Sequence, residues 1–456
     1  MASAHARQRP AGAMLLAVGV VALEFAAAVS SFVSSTLLPS VARDLDARDQ
    51  LGLLITGSTM GLFVALPLAS RVVGRLGAAR TLTVGLIGYV GGAVVTATSG
   101  TAWVFGAGQF AGGLASGLLA VFGISAIIAH LGGELRVRVL AVSSAMWIVP
   151  ALVGPPVTLA LEHTFGWRWA LLVPVPVVFV GRLLVVRAAR PDGVDDEQSR
   201  RPLGRTLLIP VGVGALVLSS AHATWWPAAV TGAVVAFAGV ATIMPHATLR
   251  LRRGTPAALG AMLLFATGYF GADSLITVLL TDGYHTSLAQ AAIVLSAAPL
   301  AWAVTSLLVP RLVRGGRRRY LAAVGLTLTA CGVTAMSAIP AVSADLGAAL
   351  VAWTVAGVGV GLSYPSLYIL CTSTDRSIGF GAIELATAVI TAEAFGGLLG
   401  RAGGGAIISL NATVGLSQVT GLITAYAVFA IFLFAAVIAA TRSTHRRCQG
   451  AEPILG

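Results

Sequence analysis

The chain has 456 residues, of which 57% are hydrophobic and 10% charged, with a mean hydropathy of +0.90; this excludes a sizeable soluble domain. The net charge of +12 would suit a nucleic-acid partner in a soluble protein, but in so apolar a chain it reads as topology-setting loops beside anionic headgroups, and nucleic acid is set aside. Cys331, Cys371 and Cys448 form an odd, scattered set with no disulfide or metal-site spacing.

Fourteen apolar runs follow one another: Ala13 to Leu38, Leu51 to Val72, Thr81 to Ser99, Trp103 to His130, Val139 to Leu161, Trp169 to Val186 and Thr206 to Trp226. They continue as Pro227 to Ala247, Ala257 to Leu280, Leu288 to Val309, Leu321 to Ile339, Leu346 to Cys371, Gly381 to Arg401 and Leu416 to Ala440. Each is near or above the roughly 20 residues that a helix needs to cross the hydrocarbon core. The predicted fold class is an all-α polytopic membrane protein.

Arginine fixes the predicted orientation. Loops of one parity hold nearly all of it, including Arg71, Arg75, Arg80, Arg136, Arg138, Arg250, Arg252, Arg253, Arg311, Arg314, Arg317, Arg318 and Arg319; only Arg43, Arg48, Arg168 and Arg401 fall on the other side. Positively charged segments resist translocation, so both termini are expected in the cytoplasm. The segment from Thr206 to Ala247 reads as one broken span or a hairpin of two. A single span would place Arg250, the run from Arg314 to Arg319 and the C-terminal arginines outside, so two spans are favoured.

All 29 basic residues are arginine, in an Ala, Gly and Val background typical of a GC-rich bacterial genome, and a bacterial inner membrane is the expected location. The first run is too long for a signal-peptide core and is expected to be retained.

An internal echo suggests a repeat. SRVVGRLGAAR (Ser70 to Arg80) follows the second run and VPRLVRGGRRR (Val309 to Arg319) the tenth, so Arg and Gly recur in a short turn after the second helix of a six-helix set. The expected organisation is an N-terminal six-helix bundle over 1–187, a cytoplasmic linker over 188–205, an inserted transmembrane hairpin over 206–253, a C-terminal six-helix bundle over 254–441 and a cytoplasmic tail over 442–456. Paired bundles of this kind are what transporters use to alternate access.

Several stretches carry a family resemblance: LLPSVARDL (Leu37 to Leu45), GRLG with Arg80 (Gly74 to Gly77), Gly154-Pro155, GWRW followed by Pro176 (Gly166 to Pro176), GVGVGLSYP (Gly357 to Pro365) and FGGLLG (Phe395 to Gly400). In this order they resemble the major facilitator superfamily, and within it the fourteen-span drug:proton antiporters. The resemblance implies two six-helix bundles plus an inserted pair, proton-coupled transport by alternating access, and no cofactor beyond the proton gradient. It implies conformational roles for Gly74, Arg75, Gly77 and Arg80 in the loop motif. The chain departs from the pattern in three places: Gly74 replaces the motif's acidic residue, Gln109 stands where antiporters commonly carry an arginine, and the first-span aspartate aligns near Ser30.

Ionisable groups inside a membrane are expensive, and each is a functional candidate. Four acids qualify for proton coupling: Glu24, Asp273, Glu384 and Glu393. At 100° per residue Glu24, Ala28, Ser31 and Ser35 share one helix face, a polar stripe suited to a water-filled cavity; the alternative has both serines bonding back to their own helix. A low-dielectric cavity disfavours the charged form of a carboxyl, which suits it to loading and releasing a proton. Glu393 is two turns from Arg401 on nearly the same face, so a structural ion pair competes with a coupling role. Glu384 and Glu393 are nine residues apart and point to opposite faces. Asp273 competes with a surface role beside Asp282.

Gln109, Trp147, Tyr269, Trp302, Tyr364 and Tyr368, with Ser31 and Ser35, are the candidate lining of a substrate cavity. Trp225 and Trp226 read as interfacial anchors. Gly396 and Gly400 form a G-x-x-x-G suited to close helix packing. Pro150 with Gly154-Pro155 is expected to bend the fifth span, an element that the resemblance links to outward movement of substrate.

The leading reading is secondary active, proton-coupled efflux of hydrophobic or amphipathic small molecules. An uptake symporter, a polytopic membrane enzyme and a transport-dead sensor compete with it. The enzyme is disfavoured because no metalloprotease, hydrolase or phosphate-binding motif is present, so neither catalysis nor ATP drive has a visible site and no metal is implied.

Overall fold

The computed structural model describes residues 10–47, 51–131, 133–188, 207–219, 226–245, 248–312, 318–342, 345–373, 380–413 and 415–443. Nearly all of them are helical. In chain order the helices are α1 (Pro10–Asp44), α2 (Leu51–Ala97), α3 (Ala102–His130), α4 (Gly133–Ala145), α5 (Ile148–Phe165), α6 (Trp167–Ala170), α7 (Pro174–Ala188), α8 (Leu208–Ser219) and α9 (Trp226–Ile243). They continue as α10 (Thr255–Val278), α11 (Leu288–Leu312), α12 (Arg318–Val342), α13 (Leu346–Cys371), α14 (Ala382–Thr413) and α15 (Gln418–Ser443). Most of the expected linker and C-terminal tail, together with Trp225 and 313–317, lies outside the described residues. So do the side chains of Ser31, Ser35, Pro155 and Trp226.

Among the described residues, eleven helices are long and apolar enough to cross a membrane, or twelve when a pair bent by 60° (Gly57–Ala69 with Arg71–Gly77) is taken as one span. These twelve correspond to the first six and last six apolar runs. In the two runs between them α8 accounts for 12 residues and α9 for 18, and residues 220–225 between the two helices lie outside the described residues. A count of fourteen spans therefore does not follow from helix length.

α8 and α9 pack on each other in opposite directions. A Cβ at Gly212 would lie 2.3 Å from the Ala236 nitrogen, and one at Gly239 would lie 2.7 Å from the Ile209 nitrogen, so the register descends on one helix as it rises on the other. The pair is seated between α2 and α14: Gly214 faces Met60, and the Phe237 and Phe395 rings are 6.4 Å apart.

The helices on either side of this pair repeat one packing pattern. α1 lies on α7 through Gly19 against Val185, and α10 lies on α15 through Gly268 and Gly271 against Phe429. The second arm of α2 meets α3 through Gly92 and Gly108, as α12 meets α13 through Gly325 and Gly359. Small residues allow this close approach where lipid supplies no hydrophobic drive between helices. The core is closed by Phe63, Phe265, Tyr269, Trp353, Phe395, Tyr426 and Phe429, each fully buried.

The second and third apolar runs are joined at Gly77, whose φ of 72° and ψ of 170° break the helix. Only glycine adopts that backbone without strain. Thr81 closes the turn through a 2.8 Å bond to the Gly77 carbonyl, while Gly74, Arg75 and Arg80 are exposed around it.

The fifth run is interrupted earlier than Gly154-Pro155. The break is at Met146 and Trp147, between α4 and α5, and Gly154 and Pro155 lie inside a continuous α5. Pro150 accounts for the position: it has no N–H to bond the Met146 carbonyl four residues back, and its ring crowds that carbonyl. Gly154 instead brings α5 onto α1, with a Cβ there 3.4 Å from Cβ of Phe32.

Candidate functional site

Glu393, near the middle of α14, is held at both carboxylate oxygens. Tyr364 donates its phenolic hydrogen to Oε1 at 2.6 Å, and Tyr368 donates to Oε2. The two tyrosines are one turn apart on α13, so a single helix face carries both donors. Charge-assisted bonds of this kind are the strong class, and two of them fix the carboxylate's position.

Those phenols belong to an aromatic wall. Tyr364 has ring-centroid distances of 4.9 Å to Tyr368, 5.3 Å to Trp302 and 6.2 Å to Phe265. Tyr269 stacks on Phe265 at 5.7 Å and on Trp353 at 5.8 Å, and meets Trp302 edge-on at 6.2 Å. The indole N–H groups of Trp302 and Trp353 are buried with no hydrogen-bond partner among the described residues. Four residues named from the sequence, Tyr269, Trp302, Tyr364 and Tyr368, thus come together. Phe265 and Trp353 complete the wall; no sequence signal separates them from the many other aromatics of apolar helices.

From the other set of helices, Glu24 in α1 reaches the same place. Trp147 is the hydrogen-bonding side chain that faces it, and Glu24 interacts electrostatically with both Glu393 and Tyr368. The break before Pro150 puts Trp147 at a helix junction, 36% exposed, rather than on a helix face. Glu24, Trp147, Tyr368 and Glu393 therefore span the seam between the N-terminal and C-terminal helices.

The remaining candidates sit elsewhere. Asp273 lies one turn from Tyr269 on α10 and interacts with Arg401 of α14. Among the described residues no ion pair within 4 Å joins Arg401 to Asp273 or to Glu393, and the hydrogen-bond partners of Glu393 are the two tyrosines. Gly396 and Gly400 bring the two helices together: a Cβ at Gly400 would lie 2.2 Å from the Thr267 carbonyl oxygen, so α14 runs directly against α10. Glu384 caps its own helix, its Oε2 accepting from the Gly381 N–H at 3.2 Å. Gln109 packs over Gly57 of α2. Among the described residues no cluster of metal-ligating side chains forms.

The GWRW segment ties the helix ends opposite the arginine-rich side. Arg168 donates to Asp44 at 2.8 Å and to the Ser99 carbonyl at 3.2 Å, the Trp167 indole donates to Asp44 at 3.2 Å, and the guanidinium lies 4.3 Å from the centre of the Trp167 ring. On the arginine-rich side, Arg136 at the start of α4 donates to the Thr372 carbonyl at the end of α13, joining the two sets of helices there.

The family model of the Major Facilitator Superfamily matches residues 20–400. A probable multidrug-efflux transporter of Mycobacterium tuberculosis is 24% identical over 459 residues, with 95% of each chain covered. The multidrug efflux pump SdrM of Staphylococcus aureus is 21% identical over 175 residues, covering 38% of this chain and 39% of its own. Among solved structures, the transporter FucP in the outward conformation superposes with a TM-score of 0.66 at 13% identity, covering 95% of this chain and all of its own. The human organic anion transporter MFSD10 gives 0.64 at 14%, with 95% and 100% covered. At such identities the structures speak for the fold alone, and the family match decides membership. The chain is a multi-pass membrane transporter, not an enzyme, and belongs to the major facilitator superfamily.

Proposed function

We propose that the chain is a proton-coupled exporter of hydrophobic or amphipathic small molecules, of the fourteen-span drug:proton antiporter branch. In this reading α8 and α9 are the inserted hairpin between two six-helix bundles, the termini are cytoplasmic and the membrane is the bacterial inner membrane. The observation that carries it is the meeting of Glu24 and Trp147 with Tyr364, Tyr368 and Glu393 across the seam, beside a wall of aromatic rings. The multidrug-efflux names of two relatives support the same substrate class.

The chemistry follows from the arrangement. Two carboxylates that face each other across a seam repel, and the repulsion is strong where water is scarce. A proton on either acid, or a cationic group of a substrate between them, relieves it; the aromatic faces accommodate apolar bodies and attract cations. Proton and substrate thus compete for one site, which is the requirement of an antiporter. Glu24 and Glu393 carry the exchangeable protons, and Asp273 is a secondary acid. The proton gradient is the only driving species needed.

The test is flux in proteoliposomes. An outward-directed substrate gradient should drive proton movement in the opposite sense, and an imposed proton gradient should drive substrate accumulation against its own. Glu24→Gln keeps the shape and removes titration, so gradient-driven flux should vanish while substrate binding persists. Co-directional movement of proton and substrate would establish a symporter instead, and binding without any flux would establish a sensor.

A further inference from the structure

On the arginine-rich side a cavity of about 310 Å³ opens between α4 and α11, lined by Arg138, Ala141, Val142, Leu307, Pro310 and Arg311. We propose that it is a binding site for an anionic phospholipid, with the headgroup phosphate between Arg138 and Arg311 and an acyl chain along Leu307 and Val142, and that its occupancy holds the two halves together on this side.

Charge and position both point to this occupant. Arg311 has no ion-pair partner among the described residues, and Arg138 has only a loose one, Glu134 at 3.9 Å with both side chains largely exposed. Arg311 stands in the last turn of α11 and Arg138 in the first turns of α4, so both are at helix ends where headgroups lie. Along α11 the surface turns apolar: Leu308, Leu307 and Val304 are 41%, 51% and 61% exposed, as residues facing acyl chains are. A soluble phosphate would use the arginines and leave that apolar wall bare. A phospholipid uses both.

The site has a conformational consequence because its walls come from opposite halves. α4 precedes the inserted helices and α11 follows them. A ligand that touches both binds only when the arginine-rich ends are together, and it favours that state by its differential affinity. The Arg136 bond to the Thr372 carbonyl closes the same seam. Lipid composition would thereby set the balance between the two facing states.

The experiment places the full chain, with its cysteines replaced, in nanodiscs of phosphatidylcholine alone or with phosphatidylglycerol. Retained lipid is read by native mass spectrometry, and the distance between spin labels at Ala129 and Tyr320, on the arginine-rich ends of opposite halves, by pulsed electron resonance. Phosphatidylglycerol should be retained selectively and should shift the distance distribution to shorter values. R138Q and R311Q should each weaken retention about fivefold, since a basic residue near an anionic headgroup is worth about 1 kcal/mol. R138K/R311K should keep most of both effects, and R250Q/R252Q, which alters exposed arginines outside the cavity, should keep all of them. Equal retention in the glutamine variants, equal loss in R250Q/R252Q, or a distance shift reproduced in phosphatidylcholine by free glycerol phosphate would each overturn the proposal. If R138Q does not fold, R311Q at the exposed helix end decides on the same readouts.

Discussion

Tyr364 and Glu393 are joined by a 2.6 Å bond between α13 and α14, and Tyr368, four residues after Tyr364, holds the other oxygen of the same carboxylate. Helical periodicity supplies both donors from one face. The geometry fixes Glu393 beside the aromatic wall and across from Glu24, so the acid, its donors and the rings form one contiguous unit.

Breaking that unit should impair transport before it impairs folding. Tyr364→Phe removes one hydrogen bond to a charged acceptor, an interaction worth about 1.5–3 kcal/mol, and should lower initial transport rates at least about tenfold with normal membrane expression. Glu393→Gln presents an amide N–H to a phenol that also donates, and should lower them further. Wild-type rates in both variants would remove Glu393 from the cycle.

Pro150 and Pro155 should behave differently. Pro150→Ala restores an N–H four residues after Met146 and should let α4 and α5 join, turning Trp147 away from Glu24. Slower amide exchange around Met146 and reduced efflux are the expected outcomes. Pro155→Ala lies inside continuous helix and should leave the exchange pattern at Met146 unchanged. The reverse result would return the bend to Gly154-Pro155.

Helix packing gives a paired stability test. Gly400→Ala forces a methyl to within 2.2 Å of the Thr267 carbonyl oxygen, whereas Gly403 has open space around it. The first should lower the melting temperature in detergent, at an overpacking penalty of about 1–3 kcal/mol. Gly403→Ala should be neutral or slightly stabilising, because alanine is the better helix former. Equal melting temperatures would show that α10 and α14 separate at little cost.

Sidedness is open to direct labelling. A cysteine at Gly316, in a background without Cys331, Cys371 and Cys448, should resist membrane-impermeant thiol reagents in intact cells and react after permeabilisation. Ready labelling in intact cells would mean that an odd number of spans precedes it beyond the first six, so that α8 and α9 make one crossing.

Much of this protein was legible from residues alone, because membrane insertion is governed by local properties. Apolar run length located the twelve long spans, since each residue's transfer from water to lipid depends little on its distant neighbours. Glycine spacing marked where helices pack, and the cost of charge in lipid singled out Glu24, Asp273 and Glu393. The segment from Thr206 to Ala247 was harder, because apolar composition alone does not tell one broken span from a hairpin of two. Partnership was decided by tertiary structure. One-dimensional spacing put Arg401 on the face of Glu393, but no ion pair within 4 Å joins the two, and α13 delivers two phenols to Glu393 instead. Glu384 turned out to cap its own helix, which its place in the first turn allowed but did not require. The break at Met146 and Trp147 likewise depended on which of several prolines the surrounding helices accommodate, Pro150 opening the helix and Pro155 riding within it. Side-chain pairing across helices depends on crossing angles and contact distances, and a single helix's periodicity carries neither.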